Sequence, residues 1–172
     1  MKTNSVIKEV CQYLTFQIGN ELFAFDVLKT NEVLEFSDIT PIPGSMESMI
    51  GVINLRGKVV PVIDLRKKLK LQEKERTVDT CIIIIETEFN EEHVTLGVLV
   101  DAAKQVIMLD NSQLEPPPRV GMCINTEYIT AIGKRDSTFI ILLDSDRIFS
   151  ENELAAAVSQ QISDIGTDDP VS

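Results

Sequence analysis

A chain of 172 residues with 44 % hydrophobic content is long enough for one domain or two closely joined lobes, and too apolar to stay disordered. Its formal net charge of −11 repels a phosphate backbone, which argues against nonspecific nucleic-acid binding and binding to anionic membranes. Aromatic residues supply only 5 % and Trp is absent, so Ile, Val and Leu must fill the interior, and branched aliphatics favour strands.

Part of the charge is local: Glu151, Glu153, Asp164, Asp168 and Asp169 face no Lys or Arg after Arg147. Cys11, Cys81 and Cys123 are odd in number and lack metal-ligand spacing, which reads as reduced thiols in a cytosolic protein. Met1 to Ser5 lead into no apolar signal segment, and no apolar run approaches the ~20 residues of a membrane span. The expectation is a cytoplasmic protein without membrane insertion.

In chain order, Leu14, Phe16 and Ile18 alternate with polar residues, Gly19-Asn20 supplies a turn, and Phe23, Phe25 and Val27 resume the alternation. That is a β-hairpin. Val33, Leu34 and Phe36 suggest a strand ended by Pro41, Pro43 and Gly44, after which Ser45 caps a short helical turn through Met49. Gly51 to Leu55 and Lys58 to Ile63 read as strands joined at Arg56-Gly57, with Pro61 expected at an edge or bulge. Asp64 caps a short helix over Leu65 to Leu71, and the polar run Gln72 to Thr77 is the clearest connector.

Beyond it, Ile82 to Ile85 and Val94 to Val100 are strands, with Glu91-Glu92-His93 at the turn between them. Val106 to Leu109 is a further strand, and Pro116 to Pro118 form a stiff spacer. Tyr128 to Ile132 and Phe139 to Leu143 make the last hairpin, and Ser150 with Glu153 forms a capping box that opens a helix. The expected organisation is a single domain over 1–162. It comprises a first β lobe at about 12–71, a second at about 79–149, a helix at about 151–162, and a disordered tail at 163–172.

A faint repeat runs through this order. Val27 to Val33 resembles Val100 to Val106 at an offset of 73, and Val59 to Asp64 resembles Phe139 to Asp144 at an offset of 80. Two related β lobes explain it, and chance likeness between apolar strands competes with that reading. Lobes of ~60 residues are marginal alone, so they should share a core.

Catalytic chemistry is missing from the pattern. His93 is the sole histidine, placed in a predicted turn away from any nucleophile, and no Cys-x-x-Cys or His-x-x-x-His pair exists. Gly51 to Lys58 superficially suggests a phosphate loop, but five residues separate its glycines and Val59 stands where Ser or Thr is needed. No cofactor and no metal are expected. Single-strand binding needs a basic groove with stacking aromatics, which this acidic chain lacks. Protein binding is the function class that remains.

The segment Gly51-Val52-Ile53-Asn54-Leu55-Arg56-Gly57-Lys58-Val59-Val60-Pro61-Val62-Ile63-Asp64-Leu65 resembles the signature of the CheW family. Phe23 to Val27 with Glu32-Val33, Thr40 to Pro43, Leu96 to Asp101 with Val106, Thr126 to Thr130, and Leu142 to Asp144 extend the likeness. It covers nearly all of Gln12 to Ser150. The resemblance implies an all-β fold of two SH3-like, five-stranded barrels sharing a core, with a C-terminal helix. It implies a non-catalytic adaptor that links the cytoplasmic tips of methyl-accepting chemoreceptors to the regulatory domain of the histidine kinase CheA. Other CheW-like domains in rings are further implied partners, and the implied location is the membrane-associated receptor array. An adaptor of a non-chemotaxis array is the alternative.

By the same resemblance the receptor groove comprises Thr30, Glu32, Gly51, Arg56, Gly97, Ala103 and Val106. Small residues at Gly51, Gly97 and Ala103 are expected to admit a helix backbone. Thr30 and Ala103 are less apolar than the residues many relatives carry there. Kinase-facing surfaces are expected near Ile39 and Ile42, and near Leu114 and Val120. The competing reading makes Gly51 and Gly97 strand bends, Ala103 and Val106 core, and Glu32–Arg56 a surface ion pair worth at most ~1 kcal/mol.

Overall fold

A computed structural model describes residues 10–44, 46–118 and 124–158. Eleven strands run β1 (Val10–Ile18), β2 (Glu21–Asp26), β3 (Thr30–Glu35), β4 (Met49–Leu55), β5 (Lys58–Asp64), β6 (Cys81–Phe89), β7 (Glu92–Val100), β8 (Ala102–Asp110), β9 (Leu114–Glu115), β10 (Ile129–Arg135) and β11 (Thr138–Leu143). Helix α1 is Leu65–Lys68, and residues 151–158 form helix α2. Ser45, Val120, the end of the expected C-terminal helix and the tail at 163–172 lie outside the described residues.

The strands form two sheets whose membership departs from the expected division between 71 and 79. One sheet has the order β8-β1-β2-β11-β10-β9 and the other β3-β6-β7-β5-β4. The leading hairpin of each half has therefore crossed to the other: β1–β2 sits with the C-terminal strands, and β6–β7 with β3, β4 and β5. Periodicity records which faces are buried and carries no record of the partner, so the exchange was invisible in the sequence. The first sheet also has six strands where five were expected, the extra one being the two-residue β9.

The exchange explains why β6 is apolar on both faces. Ile83 and Ile85 of β6 enter a core shared by the sheets, alongside Phe16, Phe23 and Phe25 of β1 and β2. Their neighbours Ile82 and Ile84 enter a separate core inside the second sheet with Ile53, Val60 and Val62. Tyr13, Ala24, Ile140 and Leu142 fill the equivalent core of the first sheet. A strand between two cores must be hydrophobic throughout, as the run Ile82–Ile85 is.

The faint repeat is architectural. A shift of 80 positions carries the pair Met49–Ile63 onto Ile129–Leu143, and the register break between Met49 and Gly51 onto the break between Ile129 and Ala131. A shift of 73 carries Gly97 back onto Ala24, and these are the residues at which β7 and β2 pair in parallel with Val62 of β5 and Leu142 of β11. Even the isolated bridge Thr40–Val52 has its counterpart in Glu115–Ile132 of β9 and β10.

Other local expectations are adjusted. Pro61 lies on an inner strand, but the ladder from β5 to β7 begins at Val62, so its missing N–H interrupts nothing on that side. His93 lies on β7 opposite Glu88, because the turn is Asn90-Glu91, both with positive φ. Helix α1 stops at Lys68, with Lys70 in a left-handed conformation at φ 59°. The capping box is present: Ser150 N donates to Glu153 Oε1 at 2.8 Å, and Glu153 N to Ser150 Oγ at 3.1 Å. Glu153 is only 1 % exposed and also receives Lys68 at 2.7 Å and the Ser48 hydroxyl, which anchors α2 to the second sheet.

A buried polar network joins the sheets. Asp64 caps α1 through Arg66 N, and the Arg66 side chain bonds both Asp64 oxygens at 2.9 and 3.0 Å. Arg66 also reaches the Lys74 carbonyl at 2.9 Å and Asp101 at 3.3 Å, while Asp101 accepts from Gly19 N at 2.7 Å. Three segments thus converge on the guanidinium of Arg66, a residue only 7 % exposed, and the Gly19 turn joins them through Asp101. Removing one partner from such a set leaves uncompensated buried charge. Arg66→Ala should lower unfolding free energy by about 3–5 kcal/mol in a urea titration, and a loss under about 1 kcal/mol would show the network to be dispensable.

Candidate functional site

The hairpin between β4 and β5 turns at Arg56-Gly57, with φ 52° and 87°. Asn54 fixes this turn, its side-chain oxygen accepting from Gly57 N at 2.8 Å. A left-handed residue at the tip projects Arg56 sideways onto edge strand β3, where its guanidinium binds Glu32 in a two-pronged ion pair at 2.7 and 2.8 Å. The Arg56 side chain remains 69 % exposed and that of Glu32 24 %. The hydrogen bond from Arg56 holds the Glu32 carboxyl below its usual value, and the guanidinium is raised in turn. A fork-shaped pair fixes direction as well as charge, leaving one face of the guanidinium toward solvent.

The remaining groove candidates divide. Ala103 lies at the seam between sheets: it packs against the shared core, and its backbone hydrogen-bonds the Cys81 thiol of β6. Burial pushes that thiol above its usual value, which makes it inert. Val106 stands 53 % exposed on edge strand β8, while its counterpart on β3, Val33, is 42 % exposed. Thr30 is half-buried at the start of β3 and donates to the Val27 carbonyl at 3.0 Å. Among the described residues no side-chain hydrogen bond joins the Glu32–Arg56 pair to Ala103 or Val106.

Gly51 and Gly97 serve the fold. A Cβ on Gly51 would meet the Thr40 carbonyl oxygen at 2.3 Å, and its φ of 153° is a glycine conformation. A Cβ on Gly97 would meet Ile82 Cγ2 at 2.8 Å, inside the core of the second sheet. Intramolecular neighbours thus fill the Cβ space beside both glycines. Of the second set, Ile39 packs on the core of the second sheet and Leu114 on that of the first. They flank the equivalent bridges Thr40–Val52 and Glu115–Ile132, and Ile42 is half-buried just beyond.

The Arg66 network was not anticipated, although Asp64 and Arg66 two residues apart at a helix start offered a signal. Among the described residues no group of three or more His, Cys, Asp or Glu could hold a metal, and no helix is long and apolar enough to cross a membrane.

Two predictions follow from this geometry. Gly97→Ala should cost about 1–3 kcal/mol by overpacking, and Gly51→Ala should cost more because backbone blocks its Cβ; chemical denaturation checks both. The Glu32 carboxyl should titrate below a free glutamate in NMR-monitored pH titration, and Arg56→Ala should return it upward. A lowered folded value makes the pair's contribution present at neutral pH and lost as pH falls through that value.

Comparison with known proteins agrees with this architecture. The CheW-like domain model matches residues 12–153. A chemotaxis protein CheW from Klebsiella aerogenes is 33 % identical over 144 residues, covering 84 % of each chain. The Bacillus subtilis chemotaxis protein CheW is 33 % identical across 90 % of this chain and 97 % of the relative. Among solved structures, the scaffolding protein TtCheW from Thermoanaerobacter tengcongensis superposes with a TM-score of 0.74 at 34 % identity, covering 83 % of this chain and 94 % of that one. This match supports a mainly β fold of two subdomains. With the family model spanning most of the sequence and both sheets accounted for, the chain belongs to the CheW-like domain family.

Proposed function

We propose that this chain is a non-catalytic chemotaxis coupling protein, joining the cytoplasmic tips of methyl-accepting chemoreceptors to the regulatory domain of the histidine kinase CheA in a membrane-associated array. Relatives named chemotaxis protein CheW and a scaffolding protein of the same fold support the coupling role. The observation that carries the partner assignment is the forked Glu32–Arg56 pair. An exposed ion pair adds little stability, so its held geometry has its use in orienting a partner. Thr30, Ala103 and Val106 supply the polar start, the small seam residue and the apolar edge of a receptor-facing groove. Gly51 and Gly97 shape its walls from within.

The kinase-facing surfaces are read at Ile39 and Ile42 and at Leu114, with Val120 adjoining in sequence. The first and third of these flank bridges related by the internal repeat. Two like surfaces on opposite lobes suit a head-to-tail contact, which closes into rings when adaptor and kinase domains alternate.

Reconstituted arrays of receptor, adaptor and kinase test the reading. Arg56→Ala should weaken receptor-dependent kinase activation by roughly thirty-fold in adaptor concentration, as about 2 kcal/mol at a central contact implies. The exchange Glu32→Arg with Arg56→Glu, which preserves the pair but reverses its polarity, should fail to restore activation if solvent-facing charge contacts the receptor. Unchanged activation by Arg56→Ala would overturn the assignment.

A further inference from the structure

The internal repeat permits a residue-by-residue comparison of the two lobes, and their mouths differ. In the second sheet, Ile84 and Leu55 pack on the lobe's own core and the Glu32–Arg56 pair straps the hairpin tip to β3. In the first sheet the register matches place Thr15 at the position of Ile84, Arg135 at that of Leu55, and Gln105 with Asp136 at those of Glu32 and Arg56. The turn itself is conserved in shape, since Asp136 has φ 50° beside 52° for Arg56. Strap and aliphatic plug are both gone. What stands there is an open cleft of about 730 Å³.

The chemistry of the cleft follows from those replacements. Its floor is apolar, formed by Leu22, Ile107 and Ile140, while Lys104 and Arg135 stand at its rim. Neither cation makes a salt bridge among the described residues. The Thr15 hydroxyl is already committed to Gln105, donating to its carbonyl at 2.7 Å and accepting from its N–H at 3.0 Å. Asp136 stands in the cleft's lining against Lys104 and Arg135, and compared with the second lobe the cleft lacks an aliphatic side chain at the place of Ile84 and a carboxylate at the place of Glu32.

The chain carries that combination beyond helix α2, at Asp164-Ile165, with Asp168 and Asp169 following and no Lys or Arg after Arg147. Ala157 is buried in the shared core and Val158 packs on it, as does Ala103 of the cleft wall, so the helix end and the cleft border the same core. Seven residues from Val158 to Ile165 span up to about 24 Å. Tethering also gives such a segment a high effective concentration without a large interface.

We propose that this cleft is the docking site of the chain's own C-terminal segment, with Ile165 seated on Leu22, Ile107 and Ile140, and Asp164 and Asp168 facing Lys104 and Arg135. The segment restores to the first lobe what the second builds from its own hairpin. Because Ala103 lines the cleft and adjoins the seam, the docked segment borders the edge strand β8.

The test uses the full chain and its amide NMR spectrum. The double variant Asp164→Lys, Ile165→Ser should shift the amides of Gln105, Asp136 and Thr138 while those of Glu32 and Arg56 stay in place. In the unmodified chain the heteronuclear NOE of Ile165 should exceed that of Ser172. It should fall to the Ser172 level in the double variant, and in Arg135→Glu, whose site of change is outside the segment. Raising salt should weaken the contact in the same direction. Cleft amides indifferent to the double variant, or an Ile165 NOE already at the Ser172 level in the native chain, would overturn the proposal. Cleft shifts that vary with protein concentration would overturn it too, since they would assign the occupant to a second copy.

Discussion

The exchange of hairpins between the two halves is the constraint from which the rest of the molecule follows. Each of β1, β2, β6 and β7 has one face in a lobe core and the other in the shared core. Neither sheet can be completed from a contiguous half of the sequence. The aliphatic composition, an aromatic content of only 5 %, and the continuous apolar runs are consequences. A lobe that borrows its central hairpin has no independent folded state to fall back on.

That arrangement also decides what the polar residues can do. Arg66 sits where β5 ends, where the connector passes, and where Asp101 turns the chain from one sheet to the other. It ties these three segments together. Arg56 occupies the opposite regime, an exposed tip positioned by Asn54 and a left-handed turn, where an ion pair contributes orientation and little stability. The contrast separates residues that keep the lobes in register from residues available to a partner.

Much of this was legible in sequence. The hairpins, the Asp64 cap, the Ser150–Glu153 box and the repeat all have local chemical causes, and local causes leave local patterns. Family likeness singled out Glu32 and Arg56, and the ion pair they form is the one the competing reading named. What stayed hidden depends on through-space partners. The strand exchange, the intramolecular use of the space beside Gly51 and Gly97, the convergence on Arg66 and the placement of His93 on β7 involve residues distant in sequence. No periodicity encodes them. The two offsets of 73 and 80 did contain a hint, because they relate the segments that keep equivalent registers in the two sheets.

Native-state hydrogen exchange in increasing urea tests the exchange of hairpins most directly. Amides of β1–β2 and β6–β7 should open together in the global unfolding event, with one free energy and one urea dependence. If one sheet opened at a distinctly lower free energy while the other stayed protected, the lobes would be separable units and the account would be contradicted.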